Sequence, residues 1–386
     1  MRKLTITFRL YVFCIFLLFL DAMYPWYMWE NCVRPLTFVI TALVSLFLGF
    51  TESGRFFVTR KHLLFTLFLF LSLFWNAIGG DGTLRSFSAK FLIWIYLLSL
   101  NSDSKQYVLQ FITKWTACLV LVSLICYLLF FLDFLSINPT LISCNNNGYI
   151  HWNYYAFTVN AKPVYMHRFM GFFMEPGHVT MGIVPLILAN GFDLKNKYVR
   201  ILFICELFTL SLAGYVTLFV GYLLFHGSVR SLKPILGGIF FVSLLLYFAD
   251  LAGFSDILDA FIWNRLEYRD GDIAGNNRVT AEFEKAYQSF IRSSEVWTGD
   301  IRIDITKYGG ISGYKKYLVQ NGIIGLSFTL LVYGFNYLMS FKYKVGAFTL
   351  ILFMLLFQNA YPFWFCMMAM YILGCDNLKN GRAIYA

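Results

Sequence analysis

The chain has 386 residues, of which 59% are hydrophobic and only 13% are charged. A soluble domain carries about 25% charged residues, so this composition excludes a chain of ordinary soluble domains and indicates a polytopic membrane protein. The formal net charge of +10 does not indicate a nucleic-acid partner, because the basic residues lie in short clusters between apolar runs. Such clusters are typical of cytoplasmic loops that follow the positive-inside rule.

The apolar runs predict an all-α fold with about twelve transmembrane helices, since a span needs about 20 mostly apolar residues. The predicted spans are 7–28, 35–51, 62–78, 87–101, 115–136, 169–190, 198–212, 214–227, 234–250, 318–339, 345–360 and 361–376. They divide the chain into spans 1–5 (1–136), an outer loop (137–167), spans 6–9 (168–250), a large outer loop (251–317) and spans 10–12 with a tail (318–386). Both termini are expected in the cytoplasm, because every even-numbered connection, such as the one with Lys105, then carries basic residues.

The two long outer loops differ in composition. The first is polar and aromatic and contains Trp152, Tyr154 and Tyr155, whereas the second contains nineteen Lys, Arg, Asp and Glu residues, like a soluble domain. An amphipathic helix is predicted within it over 281–292, with Thr280 as its cap. The predicted apolar face of that helix consists of Phe283, Tyr287, Phe290 and Ile291. Alternating isoleucines at 301, 303 and 305 predict one short extended piece after it.

The stretch 167–178 carries the most unusual polar residues of the chain. If it is helical, one face presents Arg168, Gly171, Glu175, His178 and Gly182. An ionised side chain inside a bilayer costs roughly 2.5–3.5 kcal/mol, so such residues normally face a partner or a wet cavity. Pro176 and Gly177 favour a break in that helix. The alternative is an Arg168–Glu175 ion pair that only orients the helix.

Three arginines, Arg265, Arg269 and Arg278, open the large loop. Because guanidinium groups bind phosphate oxygens with two parallel donors, these residues suit a lipid phosphate or diphosphate. The alternative is a solvated loop in which neighbouring carboxylates neutralise them. Farther on, Gly322 and Gly325 allow close helix contact, and structural packing is their favoured role.

Several signatures of bound groups do not occur in the sequence. There is no Gly-x-x-x-x-Gly-Lys-Ser/Thr nucleotide loop, no His-Glu-x-x-His and no Cys/His cluster with the spacing of metal ligands. The five histidines are scattered along the chain. The sequence therefore predicts neither a metal site nor a cofactor.

At four places the chain resembles the bacterial O-antigen polymerase (Wzy-type) and O-antigen ligase superfamily. These are Arg168 through Glu175-Pro176-Gly177, then Leu207 to Gly214, Arg278 in the large loop, and Gly322-Ile323-Ile324-Gly325 after it. The resemblance implies a metal-independent membrane glycosyltransferase of GT-C-like helical architecture, which acts at the outer face of the bacterial inner membrane. Its implied substrates are glycans on undecaprenyl diphosphate, and a flippase and chain-length regulators are implied partners. The implied product is a surface polysaccharide.

The resemblance also implies roles for individual residues. Glu175 is the first choice as the catalytic base and His178 the second, while Arg168, Arg278 and Arg265 are assigned to the diphosphate. Trp152 and Tyr154 are expected either to stack on sugar faces or to form an interfacial belt.

The choice between the ligase and polymerase branches of the superfamily depends on the residues at the end of the large outer loop. Ligases of the superfamily carry a His there, where this chain has Gly313-Tyr314-Lys315-Lys316-Tyr317. This difference favours the polymerase branch, and the alternatives are a ligase or a lipid-linked glycan flippase. A flippase usually shows paired broken helices from two related halves, and no such symmetry is visible in the sequence.

Overall fold

The protein is mostly helical in its computed structural model, which describes residues 5–28, 33–78, 84–134, 136–144, 149–161, 168–227, 268–269, 272–273, 280–300, 302–308, 313–358 and 362–381. Within these ranges the α-helices are α1 (Ile6–Asp21), α2 (Val33–Thr51), α3 (Arg60–Ile78), α4 (Leu84–Ser99), α5 (Ser102–Phe131), α6 (Pro176–Ala189), α7 (Lys197–Leu207), α8 (Leu212–His226), α9 (Ala281–Ile291), α10 (Gly313–Ser340), α11 (Tyr343–Gln358) and α12 (Phe365–Asn380).

Helices lie in the predicted spans, although span 169–190 is helical only from Pro176 and span 234–250 lies outside the described residues. By length and composition, α3, α5 and α10 can each cross a membrane, and several shorter helices are also apolar. The protein is therefore a helical membrane protein, while the number of twelve spans stays a prediction.

Helix α5 corrects the predicted connection between the fourth and fifth spans. That connection was expected to be a polar loop, yet α5 begins at Ser102 and continues for 30 residues. Asn101 starts the helix early, because its side chain accepts a hydrogen bond from the backbone N–H of Ser104. As a result Lys105, expected as an exposed loop charge, lies on the helix with only 4% of its surface exposed.

The core lies around α6 and α12, which pack against each other and bury nearly every side chain they carry. The approach is closest at Gly374 of α12, where an added Cβ would lie 2.7 Å from the Cβ of Ala189. At the end of this contact, Asn377 donates a hydrogen bond to the carbonyl of Ala189. These two helices form the frame on which the candidate site is built.

The first outer loop contains a sheet that the all-α prediction did not include. Strands β1 (Thr140–Cys144), β2 (Tyr149–Asn153) and β3 (Thr158–Asn160) pair antiparallel in that order. Side chains alternate across β2, so that His151 and Asn153 are buried while Trp152 is exposed. A second, two-stranded pairing joins β4 (Tyr268–Arg269) and β5 (Asp272–Ile273) in the large loop.

The amphipathic helix predicted in the large loop is confirmed as α9. Thr280 caps it by accepting a hydrogen bond from the backbone N–H of Phe283. The expected apolar face is buried at Phe283, Tyr287 and Phe290, but Ile291 is 42% exposed, because it turns away from the small core that α9 shares with α10. The extended piece expected over 301–305 is wrong for the described residues, since Ile305–Lys307 form a 3₁₀ turn packed on the same core.

Helix α10 is broken at Gly322, whose φ of 63° and ψ of −175° are not helical. The break leaves backbone groups for other elements: the carbonyl of Val319 accepts from the N–H of Asp300 at 2.7 Å, and that of Asn321 accepts from the Trp75 indole at 2.8 Å. The large loop is thereby attached to the start of α10. Gly325 packs against the Trp75 ring, as its predicted packing role requires.

Candidate functional site

The segment 168–175 is not the helix expected from its spacing. Gly171 has a positive φ of 57°, Phe173 forms a bridge with Pro25, and the helix begins only at Pro176. The physical reason is Pro176, which occupies the first helical position and forces the residue before it into extended geometry. Glu175 accordingly has φ −147° and ψ 150°. The shared face of Arg168, Glu175 and His178 therefore does not exist.

Neighbouring backbone holds this extended segment from two sides. On one side, the N–H of Trp26 donates to the carbonyl of Phe172 at 2.9 Å, and the N–H of Met174 donates to that of Tyr24 at 3.0 Å. On the other, Thr158 of β3 donates from its backbone to the carbonyl of Gly171 at 2.7 Å. The three-stranded sheet and the end of α1 thus position Glu175 at the start of α6.

The Glu175 carboxylate is half-buried, and it is not engaged by another described side chain or backbone group. Glu175 occupies the cap position of α6, but its side chain does not cap the helix, and it forms no hydrogen bond or ion pair with any residue that the structure describes. The Arg168–Glu175 ion pair, the alternative considered for these residues, is therefore absent.

His178 lies in the first turn of α6 and contacts two aromatic rings. Its ring stacks on Tyr24 with 5.1 Å between centroids and lies 5.3 Å from the Trp364 ring, which precedes α12. Tyr24 and Trp364 are in turn 5.9 Å apart. The ends of α1, α6 and α12 therefore meet in an aromatic cluster of Tyr24, His178 and Trp364 close to Glu175 in the chain. Sequence reasoning named His178 but neither of its aromatic neighbours.

Arg168 points toward the end of α7. Its guanidinium donates to the backbone carbonyls of Thr209 (3.3 Å) and Leu210 (3.2 Å). These carbonyls follow the C-terminus of α7, where a cation also interacts favourably with the helix dipole. The structure thus places Arg168 and Glu175, expected on one face, in two different environments.

One electrostatic neighbour of Arg168 is Glu206, a residue that sequence reasoning missed. Glu206 is completely buried; its Oε1 accepts from Thr180 Oγ at 2.5 Å, and Arg168 is an electrostatic neighbour. Its Oε2 has no hydrogen-bond partner among the described residues. The only sequence signal was one acidic residue in an otherwise apolar run, directly before the Leu207–Gly214 motif.

Gly214, the last residue of that motif, makes room for Glu206. A Cβ on Gly214 would lie 2.1 Å from Glu206 Oε1 and 3.0 Å from Thr180 Oγ. Ser211 caps α8 by accepting from the N–H of Gly214 at 3.3 Å. The motif therefore builds the turn between α7 and α8 around the Glu206 carboxylate.

The remaining predicted residues are separate from this group or cannot be placed. Tyr154 is buried and stacked on Phe157, with 4.7 Å between ring centroids, so its ring faces the core; Trp152 is exposed on β2. Arg265 and Arg278 lie outside the described residues, and of Arg269 only the backbone in β4 is described. Over the described ranges, no group of three or more His, Cys, Asp or Glu residues is placed to hold a metal ion.

Comparisons of the chain with protein-family models, curated proteins and solved structures found no match.

Proposed function

We propose that the protein is a membrane glycosyltransferase that polymerises undecaprenyl-diphosphate-linked repeat units into a surface polysaccharide at the outer face of the inner membrane. The observation that carries the proposal is the Glu175 carboxylate, which is half-buried, held in place by its backbone and without a partner among the described residues. Polymerisation requires a base of this kind to take the proton of the attacking sugar hydroxyl.

The proposed step uses Glu175 as that base. The hydroxyl oxygen of the acceptor sugar attacks the anomeric carbon of the donor glycan, and its proton passes to the carboxylate of Glu175. The bond from the anomeric carbon to the diphosphate oxygen breaks, and the diphosphate leaves with the electron pair. Fixed cations stabilise the charge that develops on this leaving group. Arg278 and Arg265 are proposed for this role, and Arg168 for positioning the segment that carries Glu175.

The aromatic cluster supports the same site. Tyr24, His178 and Trp364 provide ring faces at the helix ends next to Glu175, and aromatic rings present apolar surface with a polar edge, as sugar binding requires. We therefore add Tyr24 and Trp364 to the proposed glycan-binding residues and remove Tyr154, whose ring is buried in the core.

The test replaces Glu175 in a strain that lacks the chromosomal gene. Glu175→Gln keeps the shape of the side chain but cannot accept the proton, so polymerisation should fall roughly 10²–10⁴-fold, and the glycan ladder on a gel should collapse to single repeat units. Glu282→Gln, at an exposed carboxylate in the first turn of α9, is the matched control and should keep the full ladder.

Other outcomes of these experiments would contradict the proposed base or the proposed function. A full ladder from Glu175→Gln, with protein level equal to wild type, removes Glu175 as the base. If His178→Ala loses the glycan ladder and Glu175→Gln keeps it, His178 is the base that takes the proton. In the deletion strain, repeat units retained on the cytoplasmic leaflet would indicate a flippase, and long glycan left on the lipid carrier would indicate a ligase.

A further inference from the structure

A cavity of about 490 Å³ lies at the end of the helix bundle where α3 and α5 begin and α10 and α12 end. These are the helix ends that the distribution of basic residues assigns to the cytoplasmic side. Glu175 lies at the start of α6, close to the end of α1 and the start of α12, and thus at the opposite ends of the helices. The cavity is therefore separate from the proposed catalytic site.

The cavity wall is positively charged. Three lysines line it, Lys61, Lys105 and Lys379, against the single carboxylate of Asp376. The three ammonium groups carry like charge around one space and therefore repel one another. An anion in the cavity would relieve this repulsion.

Lys105 gives the strongest evidence that the cavity binds an anion. It is 4% exposed, and its ammonium has one ion-pair contact, with Asp376 Oδ1 at 3.9 Å, which is longer than a hydrogen bond. Among the described residues its side chain has no hydrogen-bond acceptor. A largely buried side chain whose ammonium meets only this distant carboxylate is costly unless an acceptor reaches it, and the cavity that it lines provides the space.

Two helix N-termini add to the positive potential. α5 begins at the cavity with Asn101 as its cap, and α3 begins there with the hydroxyl of Thr59 accepting from the N–H of His62 at 3.2 Å. Each contributes partial positive charge from its first N–H groups, an arrangement that favours phosphate. The N-termini and the lysines converge on one space from different elements.

The rest of the wall is apolar and reaches the surface. Phe335 and Ile372 line the interior, and at the rim Phe57 is 64% exposed and Met339 is 40% exposed. A charged interior with an apolar rim matches a molecule that has a phosphate at one end and acyl chains at the other.

We propose that this cavity binds the phosphate group of an anionic phospholipid from the cytoplasmic leaflet. Lys105, Lys379 and the start of α5 hold the phosphate, Lys61 closes the mouth, and the acyl chains lie along Phe57 and Met339. The inference goes beyond the transferase activity and does not depend on it.

The test measures lipid binding to the purified full-length chain in detergent by native mass spectrometry. Phosphatidylglycerol should bind the wild type more tightly than phosphatidylcholine does, and Lys105→Met should weaken phosphatidylglycerol binding about tenfold, the effect of one lost charge-assisted contact. Because Lys105 is buried, its substitution could disturb folding, so a second variant is measured. Lys61→Gln changes an exposed side chain and should also weaken the binding of phosphatidylglycerol. Lys114→Met, an exposed lysine on the same helix but away from the cavity, is the matched control and should bind as wild type.

Inorganic phosphate distinguishes the source of the anion. Displacement of phosphatidylglycerol by millimolar phosphate supports recognition of the phosphate group. Stabilisation by inorganic phosphate without any binding of phosphatidylglycerol would overturn the lipid as the occupant. Equal binding of the two lipids, or unchanged binding in both Lys61→Gln and Lys105→Met, would overturn the site.

Discussion

At the scale of single residues, the polar side chains inside the helices are arranged by tertiary contacts rather than by their spacing in the chain. Arg168 and Glu175 are seven positions apart and fit one helical face, yet Arg168 binds the carbonyls after α7 and Glu175 stands apart. Glu206, distant from both in the sequence, is an electrostatic neighbour of Arg168. A proline at the first helical position was enough to invalidate the periodicity argument.

His151 makes the stability of the outer sheet depend on pH. Burial lowers the pKa of His151 to about 4, below the ordinary value of 6.5. Between these two values the unfolded chain binds a proton that the folded chain does not, so stability is full above pH 6.5 and falls as the pH drops toward 4. The expected loss is about 2–3 kcal/mol over this range.

Thermal melting at pH 7.5 and pH 5 checks this prediction. Wild type should melt at a lower temperature at pH 5, and His151→Leu should lose most of that difference. Trp152→Leu, at an exposed neighbour on the same strand, changes no titrating group and should keep the difference. An equal pH effect in wild type and His151→Leu would assign the dependence to other groups.

At the scale of elements, the break in α10 connects the large outer loop to the bundle. Gly322 can adopt its φ of 63° without strain, and the space beside it is filled by loop backbone: an added Cβ would lie 2.4 Å from the carbonyl oxygen of Trp297. Gly299 approaches from the loop side, where an added Cβ would be 2.5 Å from the carbonyl oxygen of Gln320. Two backbones therefore touch at a pair of glycines.

Gly322→Ala should detach the loop from α10. A backbone with this positive φ and a ψ near 180° is accessible essentially to glycine alone and costs another residue about 1–3 kcal/mol, and the contact with rigid backbone adds to that cost. Limited proteolysis of the 280–308 region should become faster and the melting temperature should fall. Gly334→Ala is the matched control on the same helix, because its Cβ meets nothing within 4 Å. If both variants digest at the wild-type rate, Gly322 does not hold the loop.

At the scale of the whole molecule, helix ends that the charge pattern assigns to one side of the membrane meet at one end of the bundle. Asn380, the last residue of α12, donates to Ser102 of α5, and the N–H of Asn101 donates to the carbonyl of Arg55 after α2. At the opposite ends, Asn76 of α3 donates to Tyr317 of α10. This grouping agrees with the expected alternation of the helices, while the location of both termini in the cytoplasm stays a prediction.

Cysteine labelling tests that topology. Asp133 after α5 and Lys195 before α7 are exposed and are expected on opposite sides of the membrane. In intact spheroplasts, a membrane-impermeant maleimide should label Asp133→Cys above the wild-type background, and it should label Lys195→Cys only after permeabilisation. The reverse pattern would invert the topology, and labelling of both in intact cells would refute it.

The sequence by itself determined the helical membrane class, the positions of most helices and the capped amphipathic helix in the large loop, because these depend on local composition, periodicity and capping residues. It also singled out Glu175 and His178 as unusual. Only the tertiary structure decided which polar groups meet: the aromatic cluster around His178, the burial of Glu206 beside Arg168, and the cavity lined by Lys105. Those contacts join residues far apart in the chain, and their geometry depends on helix packing and on backbone turns at Pro176 and Gly322, which no periodicity encodes.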